Sequence, residues 1–241
     1  MKISEILSKS VDIITGQPEI LLPYLVPIVV SLAASWGGIT NMLGWGVGRF
    51  YPLGRTPLRY FWYLVTSLRN VGVGNLAAWI AVLILLAICV ALTIVMSDAR
   101  LSGRAVRVGE AFDATIKALP MFIVAFLVSW LLKFCGLFVF WVGLFIPAVL
   151  LIFVGQVMLL EKKDIFDSFS RSYDIARANW VEILLLLFVF LIILVLVRTV
   201  PLVGIVVAFF LMGYSTVVFT VMYRDRGRGE PAGKRTRPES Q

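Results

Sequence analysis

The chain has no histidine and only two cysteines, Cys89 and Cys135, among 241 residues. Without histidine, imidazole acid–base chemistry, the usual zinc ligation and Ser-His-Asp triads all drop out. Two separated cysteines cannot build a metal cluster. Both fall in or beside apolar runs, so they read as small core residues rather than a disulfide. Charge is scarce as well: 15% of residues are charged and 60% hydrophobic, whereas a soluble domain carries about 25% charged residues. So little polar surface cannot cover a water-facing globule, and so apolar a chain is not a disordered one. No Walker A, H-E-x-x-H or G-x-S-x-G motif occurs, and none of the 14 acidic residues lies deep in an apolar run. A carboxylate relay across a membrane is therefore not visible. Asp98, Glu110, Glu161 and Asp164 sit at the ends of runs, with no spacing that singles them out. These absences argue for a protein that is not an enzyme and carries no cofactor or metal.

What is present is a set of six uncharged runs: Ile20–Gly48, Asn70–Ser97, Ala118–Leu132, Phe134–Leu160, Ile183–Val197 and Thr199–Tyr223. A helix needs about 20 apolar residues to cross the hydrocarbon core. Four runs suffice alone, and the two short ones extend at their ends, with Lys117 and Lys133 snorkelling around the third. The runs lack the period-2 alternation of a membrane barrel. The expected fold is therefore all-α: a polytopic membrane bundle of six transmembrane helices near 20–40, 75–97, 116–135, 137–160, 180–198 and 200–223. Kinks are expected near Pro27 and Pro147. Lys133 with Gly136, and Arg198 with Pro201, read as outer turn markers. Gln156 reads as hydrogen-bonding glue between helices.

Lys and Arg orient the bundle. With both termini cytoplasmic, 16 of the 22 basic residues lie inside, as the positive-inside rule prefers. The segment before the first run carries Glu5, Asp12 and Glu19, unlike a cleavable signal peptide. The expectation is a multi-pass cell-membrane protein with one transmembrane domain over residues 1–223. Residues 224–241 form a basic cytoplasmic tail with the composition of a disordered segment. No folded nucleic-acid module stands behind that tail.

A repeat marks the inner side. Ser8-Lys9-Ser10-Val11-Asp12-Ile13 matches Ser170-Arg171-Ser172-Tyr173-Asp174-Ile175 at an offset of 162. Glu19-Ile20-Leu21-Leu22 then echoes Glu182-Ile183-Leu184-Leu185, one residue out of step. A weaker copy is Glu110-Ala111-Phe112-Asp113-Ala114. The unit reads as a short amphipathic helix followed by two spans, used three times, before spans one, three and five. Phe166, Phe169, Tyr173, Ala176 and Trp180 form one helical stripe with polar residues opposite, the pattern of a helix lying among headgroups. Ile3, Ile6, Leu7, Ser10 and Ile14 form a weaker one. Arg171, Tyr173, Arg177 and Trp180 are thus candidate inner-surface contacts to lipid or a partner. Alternatively, these helices simply connect spans and pack on the bundle. In the first outer loop, Arg49, Arg55, Arg59 and Arg69 among aromatic residues are candidate contacts to an anionic ligand or lipid headgroup.

The block 161–190, EKKDIFDSFSRSYDIARANWVEILLLLFVF, with its Ala178-Asn179-Trp180 junction, resembles a stretch of prokaryotic six-helix membrane proteins. So does the opening Ile13 to Pro27. These proteins include the membrane domain attached to some glycerophosphoryl diester phosphodiesterases and related stand-alone proteins. The hydrolase domain is absent from these residues, so the resemblance implies a fold and a membrane setting and no catalysis. Two functions follow. One is a non-enzymatic scaffold, membrane-organising module or partner subunit, with membrane lipids, a protein partner or a second copy as its contacts. The other is a transporter or channel subunit for a lipid-like or anionic solute. A polar cavity reached by Arg or Lys among broken helices favours the second, and a solid apolar bundle counts against it.

Overall fold

The computed structural model describes residues 2–32, 73–138, 142–197 and 203–227. These form ten helices, with no strand among the described residues. They are α1 (Ile3–Gly16), α2 (Pro18–Leu32), α3 (Val73–Leu101), α4 (Val108–Thr115) and α5 (Leu119–Phe138), then α6 (Val142–Leu150), α7 (Val154–Glu161), α8 (Ile165–Ala178), α9 (Trp180–Val197) and α10 (Val203–Arg226). Three of them are long and apolar enough to cross a membrane, and five spans result if α1–α2 and α4–α5 are each counted as one bent span. The apolar helices are compatible with a multi-pass membrane protein.

The outward faces fit the same setting. In α9 only Ile183, Leu186 and Phe190 are buried, at i, i+3 and i+7, a single stripe. Leu185, Phe188, Leu191, Ile192, Val195 and Leu196 are exposed. In water that surface is a liability, whereas lipid tails solvate it.

Three short helices, α1, α4 and α8, each precede a longer apolar helix. The axis turns by 85° from α1 into α2 and by 86° from α4 into Leu119–Lys133 of α5. α1 and α8 share length and register: both have 14 residues, at the offset of 162. Their buried positions also coincide, Ile6, Ser10 and Ile13 matching Ser168, Ser172 and Ile175. The expected stripe of Phe166, Phe169, Tyr173, Ala176 and Trp180 is divided between two surroundings. Ala176 is buried and Phe169 partly so, while Phe166, Tyr173 and Trp180 face outward. Small serines let α8 lie close to the bundle, and close packing decides the inward face.

The expected single span over 137–160 is instead two helices, α6 and α7, separated at 151–153. The break lies one turn beyond Pro147 and is filled by a side chain. Ser172 Oγ accepts from Phe153 N–H at 3.2 Å and donates to the Leu150 carbonyl at 2.8 Å. A hydroxyl inserted into the helical ladder satisfies groups that lipid cannot. Phe153, buried at the break, packs on Phe219 and Tyr223 of α10 at ring distances of 6.3 and 5.9 Å.

Proline shapes α2 similarly. It opens as a 3-10 helix, Pro18–Tyr24. Pro27 lacks the N–H that would bond the Pro23 carbonyl. Cys89 Sγ of α3 donates there instead, at 3.1 Å, and Thr93 Oγ1 lies 3.4 Å from the Ile20 carbonyl. Cys89 is thus more than a small filler. Gly213 of α10 admits this segment, because a Cβ there would sit 2.7 Å from Leu21 Cδ2 and 3.0 Å from the Tyr24 ring.

Candidate functional site

Two features carry polar chemistry: a network at one end of the bundle and a cavity within it. The last turn of α10 is the hub of the network. The Tyr223 hydroxyl donates to Glu161 at the end of α7. Arg224 Nε lies 2.8 Å from Asp98 of α3, and Arg226 Nη2 lies 3.0 Å from both Glu182 oxygens at the start of α9. Three side chains within one turn thus tie α10 to three other helices, and Arg at a helix C-terminus also meets the negative end of its dipole. Glu161 further pairs with Lys163 at 2.8 Å and faces Arg171 at 3.8 Å. Burial pushes its carboxyl up, but hydrogen bonds from Lys163 and Tyr223 and the charges of Lys163 and Arg171 outweigh that. The carboxyl is held below the usual carboxylate range. Gln17 Nε2, donating to the Val106 carbonyl at 2.7 Å, joins α1 to the segment before α4.

Of the inner-surface candidates, Tyr173, Arg177 and Trp180 are exposed. Arg171 turns inward, where Nη2 donates to the Gly227 carbonyl at 2.8 Å. Asn179, at the α8–α9 junction, donates from Nδ2 to the Ile175 carbonyl at 2.9 Å, covering an orphan at the end of α8. Arg49, Arg55, Arg59, Arg69 and Arg198 lie outside the described residues, as does the chain beyond Gly227.

The cavity was missed in the sequence. It is a partly open pocket of about 230 Å³ between α3, α5, the α6–α7 break, α9 and α10. Its polar lining is Ser129 and Lys133 of α5, Gln156 of α7, and Ser215 and Thr216 of α10. Lys133 as a turn marker is therefore a correction: α5 runs through it to Phe138, and its side chain faces the interior. Continuous helix wins because neither Lys133 nor Gly136 breaks the ladder as proline would. Gln156 is 3% exposed, and among the described residues its Oε1 has no hydrogen-bond partner, so no described residue makes the expected interhelical bond to that oxygen.

Among the described residues, no group of three His, Cys, Asp or Glu converges as a metal site would. Cys89 and Cys135 are both free thiols. No protein-family model, curated protein or solved structure matches the chain.

Proposed function

We propose that the chain is a non-enzymatic, six-span protein of the cell membrane that organises lipid at its cytoplasmic face through α1, α4 and α8. One observation carries this reading: α8 turns Ser168 and Ser172 inward, while large aromatics of α8 and the start of α9 face outward beside Arg177. Phe166 is 87% exposed and Trp180 55%. Phe112 and Ile116, in and just after α4, are exposed in the same way. Exposed aromatics next to basic residues suit the headgroup region and anionic lipid. The resemblance to six-helix membrane domains points to the same setting.

Nitroxides placed at residues 166, 170 and 173 in a Cys135→Ser background test it, in nanodiscs with and without anionic lipid. Positions 166 and 173 are expected to favour collisions with oxygen, and 170 with a water-soluble nickel chelate. Water-like values at 166 and 173 would overturn the reading. A reporter fused after Gln241 checks the sidedness, and an extracytoplasmic signal would reverse it.

The cavity beside the α6–α7 break favours a second reading, the handling of a lipid-like or anionic solute.

A further inference from the structure

Lys133 is a cation facing a mostly apolar interior. Among the described residues, no Asp or Glu lines its cavity and no ion pair joins it to another side chain. The other polar groups there are unequal. Ser129 donates to the Ala125 carbonyl at 2.8 Å. Ser215 and Thr216 donate to the Met212 carbonyl at 2.8 and 2.9 Å. Their protons are thus used within their own helices. Gln156 Oε1 is an acceptor with no donor. The cavity therefore offers an ammonium without an anion and a buried acceptor without a donor, and both states are costly in an apolar surround. The rest of the wall is aliphatic and aromatic, including Phe122, Phe126, Phe190 and Phe219.

We infer that this cavity binds a single-chain anionic amphiphile. Its carboxylate or phosphate group would pair with Lys133 and its chain would lie over the phenylalanines, and a headgroup hydroxyl or amide N–H, in ligands that carry one, would donate to Gln156 Oε1. Each alternative occupant fails on one feature. A bare inorganic anion leaves the aromatic wall without contact. A cationic amphiphile meets Lys133. A two-tailed lipid exceeds the volume, which at about 230 Å³ lies below the range of roughly 300–1,000 Å³ for ordinary small-ligand pockets. Water filling the space would find too few polar partners, since each buried water makes about three hydrogen bonds.

Binding is the whole claim, so it shares a cavity with the solute reading without requiring transport. If octanoate binds but proteoliposomes show no flux, the solute-transport reading falls and this inference stands.

The test uses the full chain in zwitterionic nanodiscs. The probes are octanoate, octyl phosphate, octanol and octyltrimethylammonium, read by thermal stability and by native mass spectrometry from a non-ionic detergent. The two anions are expected to bind at one per chain, at least tenfold more tightly than octanol, and to raise the unfolding temperature. Their ranking tells carboxylate from phosphate. Lys133→Met is expected to abolish the preference for anions while leaving the ligand-free unfolding temperature at or above wild type, because an unpaired charge is gone. Gln156→Leu is expected to keep the preference. Three results would each overturn the inference: equal binding of octanol and octanoate by wild type, preference for the ammonium probe, or anion preference retained in Lys133→Met. The wild-type comparison decides even if a variant folds poorly.

Discussion

Replacing Ser172 by alanine removes one hydroxyl and strands two backbone groups. Phe153 N–H loses its acceptor and the Leu150 carbonyl loses its donor, at a break where the ordinary helical partners are displaced. Each unsatisfied buried group costs roughly 1–3 kcal/mol, which sets a ceiling of about 6 kcal/mol for the pair. The membrane lowers it, because side chains in the unfolded state also find partners, and measured interhelical bonds average about 0.6 kcal/mol. Two such bonds set a floor of about 1.2 kcal/mol. Ser172 is fully buried, so water has no route to replace the hydroxyl, and the expected loss lies above the floor, at about 2–4 kcal/mol. Unfolding by sodium dodecyl sulfate in mixed micelles, followed by far-ultraviolet circular dichroism, measures it. Ser170→Ala, on the exposed side of α8, is the control, with an expected change within about 0.5 kcal/mol. A Ser172→Ala loss no larger than that of the control would refute the claim that this hydroxyl holds the break together.

Glu161 is ionised more readily in the folded chain than a free carboxyl. Its share of stability is therefore full above the ordinary glutamate value of about 4.3 and is lost as pH falls through the lower folded value. Unfolding temperatures between pH 7 and 3 are expected to fall less steeply in Glu161→Gln, and parallel curves would refute this. Gly213→Val drives side-chain atoms against Leu21 and Tyr24. It is expected to cost about 1–3 kcal/mol, by the same detergent titration, with Gly213→Ala milder. Cys89→Ala leaves the Pro23 carbonyl without its donor, an expected loss of about 1 kcal/mol. Cys89→Ser keeps a donor and is expected to lose less, so equal losses would refute the hydrogen-bond role.

Apolar runs revealed helices because a membrane leaves the backbone no other economical form. The runs near 75–97 and 180–198 became α3 and α9 almost unchanged. The repeat was legible for a subtler reason: Ser10 and Ser172 recur because both are buried at the same helical position. What stayed hidden depended on partners far along the chain. Nothing local to Pro147 says that the ladder opens one turn later, since the filler comes from α8. The stripe through Phe166 and Tyr173 suggested a face for the headgroups, but the pattern did not show that Ser168 and Ser172 would line the inward face, because a tight interface needs small side chains. Lys133 misled because charge between two apolar runs usually marks a turn. Reading it as interior required knowing that Gln156 and Thr216 would converge beside it. Arg171 looked like a surface cation until Gly227, 56 residues later, supplied its carbonyl.

The three units also explain why the chain closes on itself. Each consists of a short helix and two following segments: α1 to α3, α4 to α7, and α8 to α10. In each case the short helix packs against the last helix of the unit before it, α4 on α3 and α8 on α7. For those two pairs a brief connection makes the neighbour almost inevitable. In the first unit, α1 packs against α10, the last helix of the third unit, and the Tyr214 hydroxyl of α10 donates to the Leu7 carbonyl at 3.3 Å. The same contact rule, obeyed once without a connecting loop, makes the arrangement cyclic. It also accounts for α10 as the hub of the end network. As the helix that completes the cycle, α10 is held to one helix of each unit. Tyr223, Arg224 and Arg226 supply that hold through Glu161, Asp98 and Glu182.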